Sequence, residues 1–326
     1  MRRLLTAATG LTCAFALAVT GCSQSSQPSQ SAAGAVSYAP YVSAVEASAT
    51  DSAGEPATYN LAFVISGDGT CAPKWNGTEA IGDSAVKTRI ARLGKDGAAV
   101  RVSFGGASGK ELAAVCGSVS ALAAVYADAL DAAGASKADF DIEGDELTDS
   151  ASVALRSRAI AQLQRERPDL EVSFTLPVMP SGLDTDSLAL LESANTYDVQ
   201  VSTVNLMTMN YGESYTGNMG EYAVTAAGAA HTQLEKVFGL SSAAAWRGMA
   251  LTSMIGVNDV AGETFTLSDA ARVREFARRK NLAWLSIWSA FRDTACADGE
   301  SGRNEASANC SGVSQRPGAF GKAFTG

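Results

Sequence analysis

Short apolar segments that alternate with stretches of helical periodicity constrain the fold of this 326-residue chain. Several are continuously apolar, as are parallel strands buried on both faces. The eight predicted strands are Tyr38–Ser43, Asn60–Ser66, Ala98–Phe104, Ser136–Gly144, Glu171–Pro177, Val201–Asn210, Met249–Gly256 and Leu282–Trp288. Alternating strands and helices are typical of an α/β protein, and eight repeats predict a single (β/α)8 barrel, the TIM-barrel fold.

Amphipathic helical patterns separate most of these strands. The predicted helices are Gly82–Leu93, Gly109–Ala133, Ala151–Arg165, Tyr222–Phe238 and Ser268–Lys280. A doubly wound open sheet is the alternative, but no GxGxxG motif follows a first strand to favour it. In a barrel, functional groups gather at the carboxyl ends of the strands. Glu143, Tyr211 and Trp288 are therefore expected to converge on one mouth.

The fourth predicted strand carries three carboxylates at alternate positions. Asp139, Asp141 and Glu143 would share one face of a strand, with Phe140 and Ile142 on the other. Like charges and desolvation both oppose ionisation on a buried face. Since apolar segments flank the strand on both sides, a buried acidic cluster with a chemical role is favoured over a solvated acidic edge.

The amino terminus has the pattern of an export signal. Arg2 and Arg3 precede an apolar run over 4–19 that is too short for an ordinary membrane span. The run ends in Val-Thr-Gly-Cys22, which resembles the lipobox of bacterial lipoproteins, and a plain cleaved signal peptide is the alternative. We therefore expect a signal peptide over 1–22 with lipidation at Cys22, a flexible Ser/Gln-rich tether over 23–35, and one barrel domain over 36–326. The protein is expected to be exported, either as a cell-surface lipoprotein or in secreted form.

Four cysteines remain once the export signal is set aside. Export permits disulfides, and four cysteines allow three pairings. We favour Cys71–Cys116 and Cys296–Cys310, because each pair would join neighbouring loops. A four-cysteine zinc site is disfavoured because no CxxC spacing occurs.

Charge and histidine content exclude several classes of function. The formal net charge is −9 and the isoelectric point is about 4.8, which disfavours nucleic acid and anionic membrane surfaces as partners. The chain contains a single histidine, His231, in a helical pattern where a structural role is expected. A Ser–His–Asp triad or a histidine-rich metal site is hard to build from one histidine. No metal or other cofactor is predicted, and contact with a membrane is expected only through the lipid anchor.

Four motifs, in order along the chain, resemble those of glycoside hydrolase family 18, the chitinases and their relatives. The acidic strand resembles the DxxDxDxE signature, and Ser103, Gly105 and Gly106 lie in a segment similar to the SxGG motif. Residues 207–211 look like the sixth-strand motif, and residues 284–288 resemble the eighth strand. The resemblance covers about residues 36–320 and implies a barrel that hydrolyses β-1,4 bonds between N-acetylglucosamine units.

The resemblance also implies roles for individual residues. Family 18 uses a substrate-assisted mechanism in which the sugar's 2-acetamido oxygen attacks its own anomeric carbon. Glu143 would be the general acid and base, Asp141 would bond either Glu143 or the substrate amide, and Asp139 would hold a shared proton. Tyr211 would donate its hydroxyl to the acetamido oxygen, and Trp288 would form the apolar floor on which a pyranose can stack.

Further residues are expected to contact the substrate. They are Met207, Met209, Asn210, Tyr38, Phe63 and Gly106, beside Trp288. Trp75 and Tyr215 are weaker candidates for holding a polymer, and for Trp284 core packing and substrate contact are equally open. Gly106, together with Ser103 and Gly105, also suits a purely structural role in a tight turn.

The sequence departs from the family pattern at three places. Ser136 stands where the family usually has its first Asp, and Lys137 stands where Gly is common. Gly212 stands where many relatives have an Asp that orients the substrate amide, and Asn210 could supply part of that contact. We expect altered tuning rather than lost activity.

Three functions fit this pattern. The favoured one is a monomeric hydrolase of chitin or N-acetylglucosamine oligosaccharides. An endo-β-N-acetylglucosaminidase acting on N-glycans would share the same acids, because loop shape rather than the motif separates those substrates. A non-catalytic chitin-binding lectin on the same barrel is the third, and the presence of Glu143 favours an enzyme over it.

Overall fold

The computed structural model describes residues 36–297 and 306–326. The predicted signal peptide, its lipidation site Cys22 and the tether over 23–35 lie outside these residues. In the described part of the chain, we find no helix with the length and hydropathy needed to cross a bilayer.

Eight parallel barrel strands form the centre of the fold. In chain order the strands are β1 (Ser37–Tyr38), β2 (Tyr41–Ser43), β3 (Thr58–Ser66), β4 (Pro73–Trp75), β5 (Glu79–Ala80), β6 (Ala99–Gly105), β7 (Lys137–Asp141), β8 (Glu171–Pro177), β9 (Val201–Met207), β10 (Met249–Met254), β11 (Gly256–Val257), β12 (Thr264–Phe265) and β13 (Trp284–Trp288). β4 and β5 extend the edge of β3 as antiparallel strands, and β11 pairs with β12 in a separate ribbon. The remaining strands make up the barrel, which confirms the predicted (β/α)8 fold.

The first barrel strand is broken into two short pieces, and together they close the barrel. β1 pairs with the last strand, β13, whereas β2 pairs with β3. Pro40, which has no backbone N–H to donate to a ladder, stands between the pieces. The Asn60 side chain donates to the Ala39 carbonyl at 2.8 Å, and the Asn60 backbone N–H donates to the Pro40 carbonyl at 3.0 Å. Asn60 thus bridges the break that was predicted as one continuous strand.

Helices follow most of the barrel strands. They are α1 (Ser84–Leu93), α2 (Val119–Ala133), α3 (Asp145–Thr148), α4 (Ser150–Glu166), α5 (Thr185–Thr196), α6 (Met219–Phe238), α7 (Ser242–Arg247), α8 (Leu267–Lys280) and α9 (Ala319–Thr325). Side-chain caps fix several of their starts, since Ser118 and Asn218 accept N–H groups from the first turns of α2 and α6. The helix predicted from Gly109 begins ten residues later, because residues 109–118 form a turn, a short 3₁₀ helix and the cap. The sequence did not predict α5, which is only weakly amphipathic.

Alternation along β7 places its polar and apolar side chains as predicted. Asp139 and Asp141 are buried inside the barrel. Phe140 points the other way, stacking on Phe104 of β6 and contacting Phe174 of β8. The strand itself ends at Asp141 rather than at Glu143. The general-acid candidate therefore lies in the loop just beyond the strand.

Hydroxyl and amide groups fill the inside of the barrel beneath these acids. Asp139 accepts hydrogen bonds from Tyr41 at 2.8 Å, Ser173 at 2.7 Å and Thr175 at 2.8 Å. Asn205 continues the network by donating to Thr175 at 2.9 Å. A buried carboxylate needs donors of this kind, since it has acceptors only. Asp139 is therefore held by neighbouring strands rather than by a substrate.

Both predicted disulfides are present. Cys71 bonds Cys116, joining the hairpin after β3 to the loop that precedes α2. Cys296 bonds Cys310 near the carboxyl terminus. With all four cysteines bonded in pairs, the alternative of a four-cysteine zinc site is wrong.

A buried ion pair stabilises the loop after β6. Arg156 of α4 donates to Glu111 at 2.8 Å, and both side chains are almost fully buried. Glu111 also accepts the Tyr126 hydroxyl at 2.7 Å and the Ala113 N–H at 2.7 Å. The nearby charge of Glu146 also acts on Arg156.

We expect Glu111→Gln to lower the free energy of unfolding by about 3–5 kcal/mol, because it removes the hydrogen-bonded counterion of the buried Arg156 charge. Chemical denaturation of the two proteins measures the difference. The control is Asp131→Asn, which breaks the exposed pair with Arg167 and should change stability by less than about 1 kcal/mol. Equal losses in the two variants would contradict the expectation.

Candidate active site

A cleft of about 370 Å³ opens at the carboxyl ends of the barrel strands. Its wall includes Glu143 just beyond β7, Met207 at the end of β9 and Trp288 at the end of β13. This is the end of the barrel where the sequence placed the site, and the volume suits a small ligand or one end of a larger one. Four carboxylates line it, namely Asp141, Glu143, Asp184 and Asp259.

Asp141 and Glu143 form a coupled pair at the bottom of the cleft. A side-chain hydrogen bond joins their carboxyl groups. Since a carboxylate has no donor, one proton must be shared between them. Among the described residues, no donor group gives a hydrogen bond to Asp141 Oδ1. Asp141 can thus supply the proton of this hydrogen bond, while its buried Oδ1 has no donor.

The pKa values of both acids are raised. Burial raises the pKa of Asp141 well above its usual range, and the nearby charges of Glu143 and Asp139 raise it further. Burial also raises the pKa of Glu143; the Asp141 hydrogen bond lowers it, and the charge of Asp259 raises it. Glu143 is half-buried and reaches the cleft, so it can present its proton to a ligand. Such a pair can protonate a leaving group and then accept a proton from water.

Aromatic rings form one wall of the cleft beside the acids. Trp288 stacks on Phe63 with 5.5 Å between ring centroids, and the Tyr41 ring meets Trp288 edge-on at 5.7 Å. Trp288 and Phe63 are half-buried, which leaves part of each ring open to the cleft. An apolar wall of this kind suits the C–H face of a sugar ring.

The two glycines at the end of β6 lie against the Asp141 backbone and the Phe63 ring, and they do not line the cleft. A Cβ on Gly105 would lie 2.1 Å from the Asp141 carbonyl oxygen, so only glycine lets β6 approach β7 here. The Gly106 N–H donates to that same carbonyl at 2.9 Å, and a Cβ on Gly106 would lie 2.8 Å from the Phe63 ring. Gly106 does not line the cleft, and this corrects the prediction that it contacts substrate. The structural role that the sequence also allowed is the one observed.

The loop after β9 carries three of the predicted cleft residues and excludes a fourth. Met207, Met209 and Asn210 all line the cleft. Tyr211 is only 4% exposed and packs against Tyr215 and Tyr222 away from the cleft lining. Burial raises the pKa of its hydroxyl, with a further contribution from the charge of Glu263. Tyr211 thus does not line the cleft in this structure, and its donation to a substrate acetamido group stays a prediction.

Two aromatic residues proposed for polymer binding also lie in the core. Tyr38 is 3% exposed and stacks on Phe324 of α9. Trp75, the last residue of β4 in the hairpin after β3, is fully buried. Neither lines the cleft, so both predictions of substrate contact are wrong. Tyr215 packs against Tyr211 and Tyr222, and Trp284 is buried beneath the Arg101 guanidinium, where it has the packing role.

Several residues that line the cleft were not predicted from the sequence. Tyr41, Asp184 and Asp259 line the cleft, and Tyr41 also bonds Asp139. Asp184 and Asp259 lie in loops, where no periodicity points to a face. Tyr41 could have been found, since it lies within a predicted strand near the barrel centre.

A second cavity adjoins the cleft on the far side of its aromatic wall. It is lined by Phe63 and Trp288, which both cavities share, and by Asn76, Phe291 and Thr294 among others. Phe291 meets Trp288 edge-on at 5.9 Å. A ligand longer than one sugar therefore has a further recess available beyond the Phe63–Trp288 wall.

Fold and geometry together define a (β/α)8-barrel protein with a proton-sharing carboxyl pair at the carboxyl-terminal mouth, beside an aromatic wall. No family model matches the chain. The chain is 36% identical over 275 residues to a probable bifunctional chitinase/lysozyme of Escherichia coli, and 35% identical over 254 residues to endochitinase 11 of Metarhizium anisopliae. These matches cover 78% and 73% of this chain but only 31% and 48% of those relatives' lengths.

Solved structures extend the likeness to nearly the whole barrel. The catalytic domain of the hyperthermophilic chitinase from Pyrococcus furiosus is 29% identical, with a TM-score of 0.78, and the match covers 89% of this chain and 94% of that one. A family 18 chitinase from Pseudoalteromonas aurantia, at 14% identity and a TM-score of 0.56, shares the fold; that match covers 78% of this chain and 93% of that one. The chain is thus similar in sequence and in fold to chitinases.

Proposed function

We propose that the protein hydrolyses β-1,4 bonds of chitin or of N-acetylglucosamine oligosaccharides. The observation that carries this proposal is the pairing of the Asp141 and Glu143 carboxyl groups in a cleft walled by Trp288. The similarity to chitinases supports the choice of substrate, and a catalytic-site mutant of the Pyrococcus furiosus domain 2 has been solved in complex with chito-oligosaccharides.

In the first step, Glu143 gives its proton to the glycosidic oxygen as the bond to the anomeric carbon breaks. The oxygen of the sugar's own 2-acetamido group attacks that carbon and forms a cyclic oxazolinium ion, with retention in the overall reaction. The Asp141 carboxyl, which lines the cleft, accepts the amide N–H and stabilises the positive charge. Asp139 stays behind, bonded to three hydroxyls, and acts on Asp141 through its charge.

In the second step, the Glu143 carboxylate takes a proton from a water molecule as that water attacks the anomeric carbon. The carbon–oxygen bond of the oxazolinium ring breaks and the acetamido group is restored. Trp288 and Phe63 support the reacting sugar and keep bulk water away from one face. The recess beyond their rings extends binding to longer chains.

Incubation with N-acetylglucosamine oligomers of graded length, followed by product analysis, tests the proposal. We expect cleavage products whose yield rises with chain length, because longer chains fill both cavities. Binding without products would indicate a lectin, and release of N-glycans without cleavage of the oligomers would indicate an endo-β-N-acetylglucosaminidase. Either result would replace the proposal.

Asn210→Asp tests the electrostatics of the cleft. Asn210 donates to Asp259 Oδ2 at 3.0 Å and accepts the Asp259 N–H at 3.1 Å. A carboxylate at 210 adds negative charge to the cleft, which raises the pKa of Glu143 further. The general acid then stays protonated to higher pH, so the alkaline limb of the kcat/KM profile should move upward. Superimposable pH profiles for the two proteins would contradict this expectation.

We also propose that the protein is an exported lipoprotein anchored through Cys22, on the strength of the Arg2–Arg3 pair, the apolar run and the lipobox-like end of that run. Labelled palmitate should be incorporated by the wild-type protein expressed in a bacterial host and not by Cys22→Ser. Labelling of both proteins, or of neither, would reject the anchor. A monomeric state remains a prediction, which gel filtration of the domain tests.

A further inference from the structure

The carboxylate of Glu263 is buried behind the cleft and faces the backbone N–H groups of the loop after β9. The Gly212 N–H donates to Glu263 Oε1 at 2.8 Å. Burial raises the pKa of the Glu263 carboxyl, and the backbone N–H groups of Tyr211 and Asn210 face it closely enough, with that of Gly212, to lower this pKa. Three successive N–H groups that converge on one anion form the kind of concavity in which a negative charge is stabilised. Here the anion comes from the chain itself.

The loop needs such support because its backbone is unusual. Asn210 has φ +54° and Gly212 has φ +119°, and both values lie in the region that favours glycine. A non-glycine residue stays in that region only where its surroundings hold it. Asn210 is also one of the residues that lines the cleft.

Among the described residues, the Glu263 side chain makes its hydrogen bond to this loop. It is 1% exposed and lies just before β12, and its backbone carbonyl accepts the Asn258 N–H at 3.0 Å. Its second oxygen, Oε2, has no hydrogen-bond partner among the described residues. Burying a carboxylate is costly, so a carboxyl retained here indicates a role for its acceptor atoms.

The same two loops meet again at the surface of the cleft. Asn210 and Asp259 exchange two hydrogen bonds there. Glu263 and Asp259 belong to one turn between β11 and β12, so the inner and outer contacts fix one loop against the other. A displacement of the Glu263 side chain is therefore expected to displace Asn210, Met209 and Asp259 as well.

We propose that Glu263 is a positioning residue for the cleft: by holding the N–H groups of 210–212, it sets where Asn210 and Met209 meet the substrate. This proposal rests on the proposed function for its substrate, but its loop contacts stand apart from it. Glu263 touches no substrate itself, since it does not line the cleft.

The test compares Glu263→Ala with Glu263→Gln, which keeps an acceptor oxygen at the same reach. We expect kcat/KM on N-acetylglucosamine oligomers to fall about tenfold to a hundredfold in the alanine variant, because small misplacements of substrate-positioning groups are costly. The glutamine variant should recover most of this loss. The control is Asp269→Ala, which removes another buried carboxylate that accepts a backbone N–H, outside the cleft, and should lower melting temperature without changing kcat/KM.

Two readouts separate this proposal from the proposed function. Oligomer affinity is titrated in the Glu143→Gln background, and amide hydrogen exchange follows residues 210–212 in the absence of any sugar. Faster exchange at 210–212 in Glu263→Ala, with rescue by Glu263→Gln, is expected even if the wild type hydrolyses nothing. The proposal is overturned if amide exchange at 210–212 is the same in Glu263→Ala as in the wild type. If the wild type binds or cleaves oligomers, the proposal is also overturned when Asp269→Ala lowers kcat/KM or affinity as much as Glu263→Ala does.

Discussion

Glu143→Gln is expected to lower kcat on N-acetylglucosamine oligomers by about 10²–10⁴-fold, the usual contribution of general acid–base catalysis. The amide keeps the shape of the side chain and can still accept a hydrogen bond, but it has no acidic proton for the leaving oxygen. Because Glu143 is half-buried at the cleft, the substitution should leave the fold intact. Initial rates by product analysis, with thermal melts of both proteins, provide the measurement.

The control for this variant is binding. Glu143→Gln should retain oligomer affinity within a few-fold, since Trp288 and Phe63 remain. The wild-type kcat/KM profile should also show an alkaline limb above the ordinary carboxylate range, because burial and Asp259 raise the pKa of Glu143. Hydrolysis by Glu143→Gln at the wild-type rate would remove Glu143 from its role as the acid.

Asp141→Asn is expected to have the second largest effect, a loss of about tenfold to a hundredfold in kcat. The amide still donates one hydrogen bond, but it cannot share a proton with Glu143 or carry negative charge beside a developing cation. The loss should be smaller than that of Glu143→Gln, because the general acid itself remains. The same product analysis measures it.

The thermal stability of Asp141→Asn at neutral pH should be equal to or higher than that of the wild type, although its kcat falls. The pKa of Asp141 is raised in the folded state, so the folded protein binds more protons than the unfolded chain once the pH exceeds the ordinary aspartate range. Stability is therefore lost as the pH rises through that window, and asparagine removes the loss. We expect Asp141→Asn to melt at or above the wild-type temperature at neutral pH and to lose this advantage at low pH. A lower melting temperature at neutral pH would show that Asp141 contributes more to folding than its burial costs.

The barrel and its acids were predictable because both follow from short-range periodicity. Two-residue alternation placed Asp139 and Asp141 inside the barrel and Phe140 outside, which the structure confirms. Position along the chain was less informative after β9. Tyr211 was expected at the barrel mouth because it follows this predicted strand, but the strand ends at Met207 and the left-handed backbone at Asn210 redirects the residues that follow.

Other parts of the site could not be predicted because they depend on contacts between distant loops. Asp259 acts on Glu143 only because its loop folds over the end of β9. Tyr38 and Trp75 were predicted as aromatic residues around the cleft, but neighbouring elements cover both rings. Residue type alone does not distinguish a ring that is covered from one that is open to the cleft.

The broken first strand has a consequence for how the protein folds. Its first half pairs with the last strand and its second half with the strand after it, so the ring of strands is complete only when the two ends of the domain have met. Contacts between residues so far apart along a chain form slowly, because much of the chain must be ordered first. Tyr41, in the second half of this strand, donates to Asp139. We therefore expect the ring to close late in folding, and a chain that lacks the last strand should contain the three carboxylates without the closed barrel around them.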